Sequence, residues 1–174
     1  MDADGQLEKQ AISGDDQAFL QLMKLYKIDL YKTALAYLKN SDEALEAIQE
    51  VTYRAYKSIH SVREASYLKT WLIRIMINYC NDQLKKKKRE ILGEEILRVQ
   101  GISEDYSRLE IKDAMEDLDD RSREILTLKY FHDLKIKEIA DSMQCPEGTV
   151  KTWLNKALKA LKGKLGEKGG DQSV

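Results

Sequence analysis

The sequence predicts an all-α protein: two small helical domains joined by an acidic linker, the C-terminal one a helix-turn-helix. Three observations predict it. A chain of 174 residues carries one proline and nine glycines, so few residues interrupt helices. Apolar residues recur at three- and four-residue spacing, and no segment sustains the two-residue alternation of a strand. Charge is nearly balanced overall, at −1, but it is segregated. Residues 1–89 hold 15 Lys/Arg and 12 Asp/Glu, residues 90–122 hold 4 and 11, and residues 123–174 hold 10 and 7. Two mildly basic blocks therefore flank an acidic connector. The expected boundaries are a first domain at 1–89, a linker at 90–109, a second domain at 110–165 and a disordered polar tail at 166–174.

The elements follow in order. Phe19, Leu22, Met23, Tyr26, Leu30, Ala34 and Leu38 recur at helical spacing; Asp15 or Asp16 caps the start and Lys39-Asn40 ends the helix. Ser41 is the expected N-cap of the next helix, with Asp42 and Glu43 in the first turn where the helix dipole favours acids. Its buried face is read as Leu45, Ile48, Thr52, Ala55, Tyr56 and Ile59. His60 to Ala65 is a polar loop. Ser66 is the expected cap of a third long helix, with Leu68, Leu72, Ile75, Met76 and Tyr79 on one face, running into Lys85-Lys-Lys-Lys-Arg89. From Glu90 to about Ser107 the periodicity weakens, with Gly93, Gly101 and Ser103 among acids, which reads as linker with a short helix in it. Helices at Ile111–Leu118 and Arg121–Phe131 precede a final pair. No internal repeat is present.

Several function classes are excluded or disfavoured. No apolar run is long enough to span a bilayer and no signal-peptide pattern opens the chain, so a cytoplasmic protein without direct membrane insertion is expected. Cys80 and Cys145 lack the Cys/His companions of a zinc site, and Cys80 reads as a small core residue. His60 and His132 are isolated, and there is no phosphate loop. No enzyme, cofactor or small-molecule substrate is expected.

The final pair carries the most information. Ile136-Lys-Glu-Ile-Ala-Asp-Ser-Met143, a Gln144-Cys-Pro-Glu-Gly148 turn and a lysine-rich helix from Thr149 form the layout of a helix-turn-helix. Val150, Leu154, Ala157, Leu158, Leu161 and Leu165 supply a buried stripe. Lys151, Thr152, Asn155, Lys156 and Lys159 occupy the other face, and no acid lies between Gly148 and Gly166. Pro146 suits a first helical turn. Gly148 allows close approach of a DNA backbone, and Thr149 has a hydroxyl for a phosphate.

These residues resemble the bacterial sigma factors of the extracytoplasmic-function group. Arg123-Glu-Ile-Leu-Thr-Leu-Lys-Tyr130, Ile136-Lys-Glu-Ile-Ala140 and Pro146-Glu-Gly-Thr-Val-Lys151 are similar to that family's C-terminal promoter-binding domain. Ala44-Leu-Glu-Ala-Ile-Gln-Glu-Val51, Arg54-Ala-Tyr56 and Ser66-Tyr-Leu-Lys-Thr-Trp-Leu-Ile-Arg-Ile75 are similar to its N-terminal domain. The resemblance implies a protein that binds core RNA polymerase and reads promoter DNA. Residues 110–165 would read the minus-35 element through Lys151, Thr152, Asn155 and Lys156, with Gly148 and Thr149 against the backbone. Residues 1–89 would melt and read the minus-10 element through Val62, Arg63, Tyr67, Leu68, Trp71, Arg74 and Asn78, with Lys85, Lys86, Lys87, Lys88 and Arg89 on phosphates. Asp42, Glu46, Gln49 and Glu50 would dock on the polymerase. The resemblance also implies an anti-sigma factor, membrane-anchored in many cases, that holds the protein silent.

The chain departs from the family pattern in places. Glu46-Ala47 replaces an Asp-Leu pair, Val62-Arg63-Glu64 replaces an aromatic–Arg–Gly pattern, and Asp119 stands for a proline. Trp153, Lys156 and Leu158 stand where arginines are frequent. Lysine reads guanine less well than arginine, so the family's consensus DNA sequence does not transfer. The alternative is a stand-alone helix-turn-helix regulator binding a palindrome as a dimer.

Overall fold

The structure, a computed structural model, describes residues 3–95 and 114–169, and every regular element among them is helical. The chain divides into two compact units, Met1–Arg98 and Val99–Val174.

In the first unit α1 (Ala3–Ile12), α2 (Asp16–Leu38), α3 (Ser41–Ser58) and α4 (Leu68–Glu95) surround one core, with α2 packed against the other three. Sequence periodicity did not reveal α1, which is short and buries little besides Ala11. Gly14, at φ +105, makes the turn out of α1, and Asp15 caps α2 by accepting the Ala18 N–H at 3.0 Å. Lys39 closes α2 in the left-handed region, at φ 56. Asn40, rather than Ser41, caps α3: its side chain accepts the Glu43 N–H at 3.0 Å. Leu22, Leu30, Leu68, Leu72, Ile73, Met76 and Ile77 are sealed from solvent, each contributing roughly 1.5–3 kcal/mol by burial.

The buried face of α3 differs from the expected one. Ala44, Ala47, Val51 and Ala55 are buried, while Leu45 and Tyr56 are about half exposed, at 49% and 52%. Small residues let α3 lie close against α2 and α4, and that close approach turns the larger side chains outward. Two short 3₁₀ turns, Ile59–Ser61 and Ala65–Tyr67, link α3 to α4, so Ser66 sits inside a turn rather than capping a helix. Beyond Arg89, α4 continues to Glu95. Ile91, Leu92, Glu94 and Glu95 favour or tolerate helix, and the single Gly93 costs only about 1 kcal/mol.

The second unit begins, in the described residues, with a helical turn at 114–116, whose Ala114 is buried together with Leu118. Next come α5 (Asp120–Leu126), a π-helical turn (Thr127–Phe131), α6 (Ile136–Met143) and α7 (Glu147–Gly169). Ile125, Leu128, Ile139, Ala140, Val150 and Ala157 form the core. Arg123 ties the preceding turn to α5, donating to the carbonyls of Met115, Glu116 and Leu118 at 3.1, 3.2 and 3.1 Å. Leu158, expected in the stripe of α7, is 37% exposed. Helix α7 runs through Gly166 to Gly169, where a disordered tail was expected; residues 170–174 lie outside the described residues, as does the expected linker from 96 onward.

Candidate nucleic-acid and polymerase interfaces

The helix-turn-helix of the second unit is built by backbone chemistry at its turn. Gln144 closes α6 in the left-handed region at φ 54, and the Cys145 N–H donates to the Ala140 carbonyl at 3.0 Å. The Pro146 carbonyl accepts from Thr149 and Val150 at 3.0 and 3.3 Å. Pro146 thus stands at the cap position, one residue before the first turn of α7. With Val150, Leu154 and Ala157 buried, Gly148, Lys151, Thr152, Asn155, Lys156 and Lys159 are exposed and Thr149 is half-buried. The structure therefore brings the expected minus-35 residues onto one open side. The Thr152 hydroxyl donates to the Gly148 carbonyl at 3.0 Å. A Cβ at Gly148 would meet nothing within 4 Å, so the protein's own packing does not require glycine there.

The head of α5 lies along this helix. Asp119 caps α5, accepting the Ser122 N–H at 2.7 Å and its hydroxyl at 3.1 Å. The Ser122 backbone bond holds the Asp119 carboxyl below the usual range, and the nearby Lys156 charge adds to the effect. The Arg121 guanidinium lies over the Trp153 ring, 4.5 Å from its centroid. Sequence reasoning missed this pair.

In the first unit the expected minus-10 residues divide. Tyr67, in the turn before α4, and Trp71 and Arg74 on α4 are half-buried, and Asn78 is exposed; the spacing of Trp71, Arg74 and Asn78 places these three on one side of α4. Leu68 is wholly buried. One position is 100° round a helix, enough to turn Leu68 into the core, so it is a packing residue and not a DNA contact. Val62 is half-buried and Arg63 exposed in the loop. Lys85, Lys86, Lys88 and Arg89 are exposed, while Lys87 is half-buried and forms an ion pair with Glu43 at the head of α3. Tyr79 is buried, with the Arg54 guanidinium 5.1 Å from its ring centroid, and desolvation raises its pKa.

On α3, Asp42, Glu46 and Gln49 are exposed, and Glu50 is paired with Arg54 at 2.9 Å. Leu45 and Tyr53 join them on the same side, 49% and 58% exposed. The buried alanines of α3 were the signal that this apolar pair faces outward. The exposed side of α3 thus sets two apolar side chains among Asp42, Glu46 and Gln49.

Elsewhere, burial pushes the Cys80 thiol up to about 12, which makes it unreactive. Among the described residues no cluster of His, Cys, Asp and Glu could hold a metal, and no helix is long and apolar enough to cross a membrane.

Comparison with known proteins assigns the two units. Residues 22–90 match Sigma-70 region 2, and residues 108–161 match Sigma-70, region 4. The RNA polymerase sigma factor SigV of Bacillus subtilis is 33% identical over 143 residues, covering 80% of this chain and 86% of that protein. The chain belongs to the sigma-70 family. The ECF RNA polymerase sigma factor SigW of the same organism is 31% identical over 176 residues, covering 90% of this sigma factor and 94% of that one. This places the chain in the extracytoplasmic-function group. Among solved structures, RpoE of Bartonella quintana, in complex with the anti-sigma factor NepR, shares the fold at a TM-score of 0.59 and 23% identity, covering 84% of this sigma factor and 96% of RpoE. CnrH, in complex with the cytosolic domain of CnrY, does so at 0.65 and 22%, covering 99% and 100%.

Proposed function

We propose that this sigma factor carries out promoter-specific initiation with core RNA polymerase through separate surfaces on its two units. The exposed side of α7, free of acids from Gly148 to Gly166, carries the reading. Lys151, Thr152, Asn155 and Lys156 read the minus-35 element in the major groove, with Gly148 and Thr149 against the backbone. Arg63, Tyr67, Trp71, Arg74 and Asn78 take the minus-10 element, where aromatic faces hold unstacked bases and cations hold single-strand phosphates. The exposed members of the run from Lys85 to Arg89 contact phosphates. Asp42, Leu45, Glu46, Gln49 and Tyr53 dock on the polymerase. The residues between the units connect the two readers, so one holoenzyme engages both elements at fixed spacing. The protein works in the cytoplasm, catalyses no bond-forming step itself and is held silent by an anti-sigma factor, as its structural relatives are found bound to such partners or to a cytosolic domain.

Run-off transcription from pooled genomic fragments, by core polymerase with and without the chain, tests this reading. New start sites sharing two elements at constant spacing are expected. Unchanged start sites, with the chain alone protecting a palindrome, would establish a dimeric regulator instead.

A further inference from the structure

Arg121 is the second residue of α5, and Trp153 lies on the DNA-reading helix α7. The guanidinium sits 4.5 Å from the centroid of the indole ring, within the range where a ring face attracts a cation. Trp153 is half-buried and Arg121 is exposed. The ring therefore works as a shelf at the edge of the helix. A guanidinium drawn to a ring still offers its fork of N–H donors to oxygen ligands. Its position on α7 matters. Trp153 lies about 60° round the helix from Lys156, at the rim of the open side. Asp119 at the head of α5 also lies near Lys156, whose charge adds to the lowering of its pKa. Side chains at the rim of a groove-reading helix meet phosphates, and those at its centre meet base edges.

We propose that Arg121, held on the face of Trp153, binds a backbone phosphate at the edge of the groove that α7 reads. Arg121 is the contact and Trp153 its positioning residue. The inference rests on the assignment of α7 as the minus-35 reader.

The test uses holoenzyme on a promoter duplex of about 60 base pairs, taken from the run-off experiment, with affinity followed between about 50 and 200 mM salt. Arg121→Gln is expected to weaken binding about threefold to tenfold on every promoter and to lower the salt slope by about one, with an unchanged melting midpoint. Arg121→Lys keeps the slope. Trp153→Leu weakens binding in the natural protein and adds nothing in the Arg121→Gln background. Lys151→Gln reports separately on α7. If Lys151→Gln weakens binding while Arg121→Gln leaves the slope intact, Arg121 is only a structural clamp and the inference falls. Equal losses from Trp153→Leu in both backgrounds overturn the positioning role. If neither lysine nor arginine matters, or if no promoter emerges from the pool, the assignment of α7 falls and takes the inference with it.

Discussion

Gly148 has space for a side chain and an ordinary helical backbone, so folding does not explain it. Gly148→Ala is expected to leave stability unchanged or raise it by up to about 1 kcal/mol, because alanine is the better helix former. The same change should weaken promoter binding, since a methyl group would meet the DNA backbone. Urea midpoints beside holoenzyme affinities check both halves, and unaltered affinity would remove the backbone from that position. Asp119 is a residue of the opposite kind, required by the fold. Its cap bond to Ser122 should make Asp119→Ala cost about 1 kcal/mol at pH 7. Because the folded carboxyl is held below its ordinary value, its charge-linked stabilisation is complete above about pH 4 and fades as pH falls through the depressed value. The gap between the natural protein and Asp119→Ala should narrow in acid. Asp119→Asn, which caps without titrating, should keep most of the stability and lose the pH dependence. Denaturant melts at pH 7 and pH 3 measure this.

At the scale of elements, the order of the long helices and the turn at Gln144–Pro146 were legible in the sequence, because period and punctuation are local signals. What local signals do not carry was misread. The reading of α3 put its largest apolar residues inside, whereas the alanine side is buried and Leu45 and Tyr56 face out. Tyr56, though half exposed, donates to Asp16 at 2.9 Å and meets the ring of Phe19, contacts with a distant stretch that no spacing rule shows. The helical period put Leu68 on the apolar face of α4, where it is buried; only the resemblance set it among the DNA contacts. The Arg121–Trp153 pair joins distant stretches and follows no spacing rule. The small-residue face of α3 gives its own prediction. Ala55 is fully buried, and Ala55→Leu should overfill the contact and cost about 1–3 kcal/mol, read as a lowered urea midpoint. Glu46→Lys, on the exposed side, should leave that midpoint within about 0.5 kcal/mol and weaken assembly with core polymerase at least tenfold by roughly the penalty of a reversed charge at a docking surface. Pull-down or anisotropy with labelled polymerase distinguishes the two.

For the whole molecule, the division into two units makes the connection between them functional. A protease site placed at 101–106 and cut after purification should leave each unit's helices intact by circular dichroism. Transcription at micromolar protein should nevertheless fall about a hundredfold or more, because a tether gives millimolar effective concentration. Full activity after the cut would mean that the polymerase alone holds both pieces. The length of α4 matters at this scale as well. Because that helix does not stop at the basic run, Lys85 to Arg89 lie within it and turn 100° per residue. Lys85 and Arg89 share one side, Lys86 and Lys88 flank it, and Lys87 is held by Glu43. The exposed cations fan over an arc of about 160°, with the Lys87–Glu43 pair closing the side toward α3. A strand approaching anywhere within that arc would meet positive charge, whatever its angle.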